Sequence, residues 1–277
     1  MNRHLNAQGP VGIFDSGVGG LSVWREIVRQ LPQERTLYLA DQAHVPYGPR
    51  ALSEIRDFSV GIVEFLLSLG SKVIVIACNT ASGAALQHLR AAYPAIPFVG
   101  MEPAVKPAAE RTRTGAVGVL ATPTTFQGPL FKRLVQRFGR NVKIYTQVCP
   151  GLVEAVEAGE VTNPQTQARL AACLAPLLAA DIDQLVLGCT HYPFLQSSIQ
   201  ALAGPSVTVI DPAPAVARQV SRVLANRGLL NTSSQQAEHL FYTSGAPATL
   251  ARLVQHLVEY EGRVQGARWQ NQELRIA

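Results

Sequence analysis

Short apolar runs alternate with longer amphipathic stretches along almost the whole chain. The short runs resemble buried parallel strands, and the longer stretches repeat apolar residues every three or four positions, as helices do. Leu21, Trp24 and Ile27 illustrate such a helical stripe. The pattern therefore predicts an α/β fold of parallel strands joined by helices. The predicted strands are Val11–Asp15, Thr36–Ala40, Lys72–Ala77, Ile96–Val99, Ala116–Leu120, Val142–Thr146, Gln184–Leu187 and Val207–Ile210.

One strand pattern occurs twice. The sequence VIVIACNT at residues 73–80 is echoed by QLVLGCTH at residues 184–191, and each contains a strand that ends in a cysteine. A Glu-Pro-Ala or Asp-Pro-Ala sequence follows each cysteine at a similar distance, at residues 102–104 and 211–213. The repeat predicts two similar halves with Cys78 and Cys189 in equivalent positions.

Composition narrows the class of protein. A hydrophobic content of 47% with 16% charged residues predicts sizeable cores. The first ten residues lack the apolar segment of a signal peptide, and no apolar run approaches the ~20 residues of a membrane-spanning helix. We therefore expect a cytoplasmic protein without membrane contact. The net charge is +5, but the basic residues are scattered, so we do not expect nucleic acid to be the main partner. A homodimer stays a possible oligomeric state.

The four cysteines show no CxxC spacing, which argues against a metal site. In a reducing compartment all four are expected to be free thiols. Cys173 lies within an apolar helical run and is predicted to be an inert core residue, whereas Cys78 and Cys189 lie at strand ends.

Ligands of open parallel sheets gather beyond the carboxyl ends of the strands. The segment DSGVGG, residues 15–20, follows the first strand there, and its free N–H groups could hold a carboxylate or a phosphate. The loop at 41–50 follows the second strand at the same edge, and we expect Tyr47 and Gly48 to contact a ligand.

Two cysteines that face a ligand from opposite sides suit the inversion of a stereocentre. One thiolate removes the α-proton, and one thiol returns a proton to the other face, without a cofactor. The developing negative charge needs nearby donors. Residues that can donate hydrogen bonds follow both cysteines, namely Asn79 and Thr80 after Cys78, and Thr190 and His191 after Cys189. Asp15 could tune or orient one of the thiols.

Together these motifs resemble glutamate racemase: DSGVGG at 15–20, PYG at 46–48, CNTAS at 78–82 and GCTHYP at 188–193. The resemblance implies interconversion of L- and D-glutamate for bacterial peptidoglycan, no cofactor, and catalytic Cys78 and Cys189. The substrate-binding positions that it implies are Asp15, Ser16, Tyr47, Gly48, Asn79, Thr80, Thr190 and His191.

The resemblance also implies two pseudosymmetric open parallel-sheet domains with the active site between them. The expected first domain comprises residues 1–98 and 210–277, and the second comprises residues 99–209. The chain departs from the family at Gly128 and Phe131, where the family often has Ser and Tyr, while Thr122 and Thr125 remain available for contact. A family acidic residue corresponds to either Glu154 or Glu157.

Three other functional hypotheses stay open from the sequence alone. A related racemase could act on aspartate or another amino acid. A thiol hydrolase could use one cysteine as nucleophile and His191 as base, and would tolerate replacement of the other cysteine. A non-catalytic binder of anions or nucleic acid would show salt-sensitive binding and no turnover.

Overall fold

A computed structural model describes residues 5–233 and 235–277. None of the helices in these ranges is long and apolar enough to cross a membrane. The strands of the described chain are β1 (Val11–Asp15), β2 (Thr36–Ala40), β3 (Val73–Ile76), β4 (Phe98–Val99), β5 (Ala116–Leu120), β6 (Lys143–Gln147), β7 (Gln184–Leu187), β8 (Thr208–Ile210), β9 (His239–Thr243), β10 (Arg263–Gln270) and β11 (Glu273–Ile276). The α-helices are α1 (Leu21–Gln30), α2 (Leu52–Ser68), α3 (Asn79–Ala92), α4 (Val105–Arg111), α5 (Pro123–Gln127), α6 (Pro129–Phe138), α7 (Leu152–Ala158), α8 (Pro164–Ala179), α9 (Gln196–Ala203), α10 (Ala213–Asn226) and α11 (Pro247–Val258).

The strands form two sheets. The larger has the order β11-β10-β9-β2-β1-β3-β4, and the smaller has the order β6-β5-β7-β8. All neighbouring strands are parallel except β10 and β11. The run β2-β1-β3-β4 has the same order as β6-β5-β7-β8, so the two halves repeat one topology. The predicted α/β fold with two pseudosymmetric sheets is confirmed.

The equivalence extends to the ends of the strands. Strand β1 pairs with β3 as β5 pairs with β7, and Cys78 and Cys189 each follow the third strand of their half. Both β3 and β7 are buried along their whole length, because helices cover both faces of each sheet. The repeat therefore brings the two cysteines to corresponding sheet edges.

Four predicted strands have the predicted ends, namely β1, β2, β5 and β7, and the other four shift or shorten by one or two residues. The three C-terminal strands were not predicted. Strand β10 is long but half-exposed and polar, so its sequence lacks the apolar run by which the buried strands are identified. Strand β4 joins the larger sheet and β8 the smaller one. The domain limits at 98/99 and 209/210 stay a prediction.

Helix α1 connects the first and last parts of the chain through its packing. Its stripe of Leu21, Trp24 and Ile27 is buried, as the periodicity predicts. It packs against α10, the helix by which the chain returns from the smaller sheet to the larger one. The first and last parts of the chain thereby share one core, and the loop that opens α1 is held against the other half of the molecule.

Candidate active site

The loop between β1 and α1 is folded around a buried carboxylate. Asp15 is fully buried, and its Oδ2 accepts hydrogen bonds from the N–H groups of Gly20 at 2.9 Å and Gly17 at 3.4 Å. Tyr38 donates its hydroxyl hydrogen to the carbonyl oxygen of Gly17 at 2.7 Å. Burial raises the pKa of Asp15, while the nearby charge of His191 opposes this rise.

Glycine is required in this loop because the other half of the molecule approaches closely. A Cβ atom at position 19 would lie 2.5 Å from His191 Nδ1 and 2.6 Å from Thr190 Oγ1. A Cβ atom at position 17 would overlap the carboxylate of Glu157. The glycines of DSGVGG thus allow the backbone to touch the residues around the second cysteine.

Cys78 lies between the end of β3 and the start of α3. It is the N-cap of α3, and its Sγ accepts a hydrogen bond from the N–H of Ala81 at 3.4 Å. Burial, followed by the negative charge of Asp15, raises the pKa of the Cys78 thiol well above its ordinary value. The surroundings of Cys78 therefore favour a protonated sulfur.

Cys189 has different neighbours. Its Sγ lies 3.6 Å from Nδ1 of His191, whose Nε2 lies 2.7 Å from Oε1 of Glu157. Burial alone would lower the pKa of His191, but its hydrogen bonds with Cys189 and Glu157 outweigh burial and raise the pKa well above its ordinary value. A cationic His191 donates from both ring nitrogens, one toward Sγ of Cys189 and the other toward Oε1 of Glu157.

Glu154 and Glu157 differ in burial and in contacts. Glu154 is exposed on α7, whereas Glu157 points into the molecule and holds His191. Glu157 Oε1 also accepts a hydrogen bond from the N–H of Val18 at 2.7 Å, and Oε2 accepts one from Gln42 at 3.3 Å. Burial would raise the pKa of Glu157, but the hydrogen bond from His191 outweighs burial and lowers it.

A small cavity of about 20 Å³ lies between the two halves. Both free cysteines line it, together with the predicted binding residues except Asp15, which neighbours Cys78. Three lining residues were not among those predicted as binding positions: Pro46, Thr122 and Val153. The full lining is Ser16, Pro46, Tyr47, Gly48, Cys78, Asn79, Thr80, Thr122, Val153, Cys189, Thr190 and His191.

Threonine hydroxyls join the halves on one side of this cavity. Thr80 Oγ1 lies 3.0 Å from that of Thr122 and 3.2 Å from that of Thr125. At the departures from the family, Phe131 packs into the core of the smaller sheet, and Gly128 separates α5 from α6. The resemblance identified Thr122 and Thr125 as available, and the structure brings both to the hydroxyl of Thr80.

Asn79 carries an unused hydrogen-bonding group. Its side chain is 4% exposed, and neither its Oδ1 nor its Nδ2 has a partner among the described residues. A buried amide without partners costs about 1–3 kcal/mol. Since Asn79 lines the cavity next to Cys78, its amide is available to a ligand that carries both donors and acceptors.

The other two cysteines differ from the prediction. Cys149 and Cys173 form a disulfide between the segment before α7 and helix α8, so the expectation of four free thiols is wrong for this pair. Both are buried away from the cavity, and they approach because α8 packs against the β6–α7 region. Without CxxC spacing, the sequence carries no signal for a contact between these two elements.

Comparisons with known proteins agree with this arrangement. The sequence pattern of the Asp/Glu/hydantoin racemase family matches residues 11–220. A glutamate racemase from Pseudomonas aeruginosa is 52% identical over 244 residues, which cover 88% of this chain and 92% of that protein. Among solved structures, a glutamate racemase from Bacillus anthracis superposes with a TM-score of 0.87 at 34% identity, covering 97% of this chain and 100% of that one.

A further solved structure shows a ligand. The Escherichia coli glutamate racemase in complex with L-glutamate and the activator UDP-MurNAc-Ala has a TM-score of 0.83 at 30% identity, and the match covers 97% of this chain and 99% of that one. The family pattern spans most of the chain and includes both strand-end cysteines. The chain therefore belongs to the Asp/Glu/hydantoin racemase family.

Proposed function

We propose that this protein is a cofactor-independent glutamate racemase in which Cys78 and Cys189 act as acid and base. The observation that carries the proposal is that two free, buried cysteines from equivalent strands face one cavity between the two halves. The relatives named glutamate racemase, at about half identity over most of the chain, support glutamate as the substrate. The proposed role is the supply of D-glutamate for peptidoglycan in the cytoplasm.

The different surroundings of the two sulfurs support an order for the proton transfers. Cys189 lies beside cationic His191 and acts as the thiolate base, whereas Cys78 lies beside Asp15 and begins as the protonated acid. The Cys189 thiolate takes the α-proton of the substrate, and the electron pair passes into the substrate carboxylate. Cys78 then gives its proton to the opposite face of the α-carbon, so the product is the mirror image and both sulfurs have exchanged protonation states.

The cavity also provides groups for the substrate's fixed charges. The unpaired amide of Asn79 and the hydroxyls of Thr80 and Thr190 are donors for a carboxylate that becomes more negative as the proton leaves. Because these donors are already held in place by strand ends and helix starts, they need no reorganisation during the reaction. Ser16 and Tyr47 also line the cavity.

The test is incubation with L-glutamate in deuterated water without added cofactor, followed by circular dichroism and mass spectrometry. We expect D-glutamate with one solvent deuterium at the α-carbon, and loss of its formation in both Cys78→Ser and Cys189→Ser. The matched control is Cys149→Ser combined with Cys173→Ser, which removes only the two cysteines outside the cavity.

The outcomes separate the alternatives. If the α-proton of aspartate exchanges with solvent but that of glutamate does not, the substrate is aspartate rather than glutamate. Activity lost in only one of the two serine variants would contradict the two-base mechanism and favour a single nucleophilic thiol. Absence of α-proton exchange for every amino acid tested would refute racemisation.

A further inference from the structure

Asp41, the first residue of the loop at 41–50, is a fully buried carboxylate with donors on both oxygens. Its Oδ1 accepts hydrogen bonds from Nε1 of Trp269 at 2.8 Å and from Oγ of Ser244 at 2.7 Å. Its Oδ2 accepts the hydroxyl hydrogen of Tyr47 at 2.7 Å and lies 2.9 Å from Nδ1 of His44. Asp41 thus ties its own loop to the C-terminal strands.

One of these donors, Tyr47, also lines the active-site cavity. Tyr47 is 1% exposed and lines the cavity together with Gly48. Burial, followed by the charge of Asp41, raises the pKa of Tyr47 well above its ordinary value, so the phenol stays protonated and donates to Asp41. The position of Asp41 therefore sets the position of the tyrosine at the cavity wall.

The other donors come from a part of the chain that does not touch the cavity. Trp269 lies on β10, and Ser244 directly follows β9. The indole of Trp269 packs near the rings of Phe58 and His44, with centroids 5.9 Å and 5.3 Å apart. A continuous series of contacts thus leads from β10 through Asp41 to Tyr47.

We propose that Trp269 is a positioning residue for the substrate: through Asp41 it fixes Tyr47 and Gly48 at the cavity wall. The inference rests on the proposed function, because glutamate is taken as the occupant of the cavity. An indole N–H bonded to a buried carboxylate is a charge-assisted hydrogen bond, which is shorter and stronger than a neutral one. Its loss lets the loop adopt other positions, which weakens substrate binding while both cysteines stay in place.

The test compares the two tryptophans of the chain. Trp269→Phe keeps an aromatic ring near Phe58 and removes the N–H donor together with part of the indole, a loss of volume that the control variant shares. The matched control is Trp24→Phe, because Trp24 also donates from Nε1, at 2.9 Å to Oγ1 of Thr36, but at the opposite end of β2 from Asp41. We expect Trp269→Phe to raise KM for L-glutamate about tenfold with kcat within about twofold, and Trp24→Phe to leave KM unchanged.

A second measurement needs no change at Trp269. In Trp24→Phe, Trp269 is the remaining tryptophan, and its fluorescence reports on the bond to Asp41. We expect a saturable change in emission as L-glutamate is added, with half-saturation near KM. This measurement decides the question if Trp269→Phe fails to fold.

The two proposals fail in different ways. If the unaltered protein forms no D-glutamate, the proposed function is refuted. If the unaltered protein is active but Trp269→Phe has an unchanged KM, the positioning role is refuted. An emission from Trp269 that does not respond to saturating glutamate in an active Trp24→Phe protein would also overturn it, since a purely structural tryptophan has no reason to sense the substrate.

Discussion

The contact between Glu157 and His191 allows a quantitative prediction. Glu157→Gln keeps the shape of the side chain and an oxygen that can accept from Val18 and His191, but it removes the negative charge. His191 is 2% exposed, so its positive charge would lose its buried counter-ion. Breaking a buried ion pair on one side costs about 3–5 kcal/mol, and we expect the low end because the hydrogen bonds can remain.

We expect Glu157→Gln to lower the activity as well as the stability. Without Glu157 the pKa of His191 falls back toward its ordinary value of 6.5, and Cys189 loses its cationic neighbour at neutral pH. We expect kcat/KM to fall about 100-fold, which corresponds to about 2.7 kcal/mol of transition-state stabilisation. The loss should be larger at pH 8 than at pH 6, because His191 of the variant is still cationic at the lower pH.

Stability should depend on pH in a related way. The raised pKa of His191 adds stability that is complete below 6.5 and is lost as the pH rises through the folded-state pKa. The lowered pKa of Glu157 adds stability that is present above 4.5 and is lost as the pH falls through its folded-state value. The difference in unfolding free energy between the protein and Glu157→Gln should therefore be largest between these limits.

Racemisation followed by circular dichroism from pH 6 to 9 measures the change in activity, and urea unfolding from about pH 4 to 8 measures the change in stability. The matched control is Glu154→Gln, one turn away on the same helix but exposed, for which we expect changes within about 0.5 kcal/mol. A Glu157→Gln protein with the original pH profile and activity within twofold would refute the argument that the charge of Glu157 keeps His191 cationic.

Three further changes test other parts of the structure. Gly19→Ala places a Cβ atom 2.5 Å from His191 Nδ1, so we expect at least a tenfold loss of kcat/KM in steady-state assays. Lys72→Met leaves Glu34 buried without its cation and should cost about 3–5 kcal/mol in urea unfolding, largely recovered by adding Glu34→Leu. Asn79→Ala removes an unpaired buried amide, so thermal unfolding should show about 1 kcal/mol of added stability while activity falls.

The repeat explains why so much of the site could be predicted. Cys78 and Cys189 follow short apolar strands that are buried on both faces, and such strands are identified easily from sequence. Because parallel strands of one topology end at the same edge, the residues after them were also predicted to lie together, and all of them line one cavity except Asp15.

The parts that were missed depend on tertiary packing. Glu154 and Glu157 lie three residues apart on α7, and only the burial of that helix tells which one faces His191. Trp269 lies on a half-exposed, polar strand at the side of the larger sheet, so no periodic pattern marks it. Its contact with Asp41 joins residues more than two hundred positions apart, which local patterns do not encode.

The duplicated topology and the unequal charges around the sulfurs have a joint consequence for the reaction. The repeat gives Cys78 and Cys189 equivalent positions, but burial and Asp15 favour a thiol at the first, whereas the proposed mechanism begins with a thiolate at the second, beside His191. One of the two enantiomers therefore meets the resting protonation state, and the other needs the reverse state. Since two enantiomers have equal free energies in water, kcat/KM must be the same in both directions. The asymmetry should accordingly appear as kcat and KM values that differ between L- and D-glutamate by the same factor; equal values in both directions would mean that the charges of Asp15 and His191 do not bias the two sulfurs.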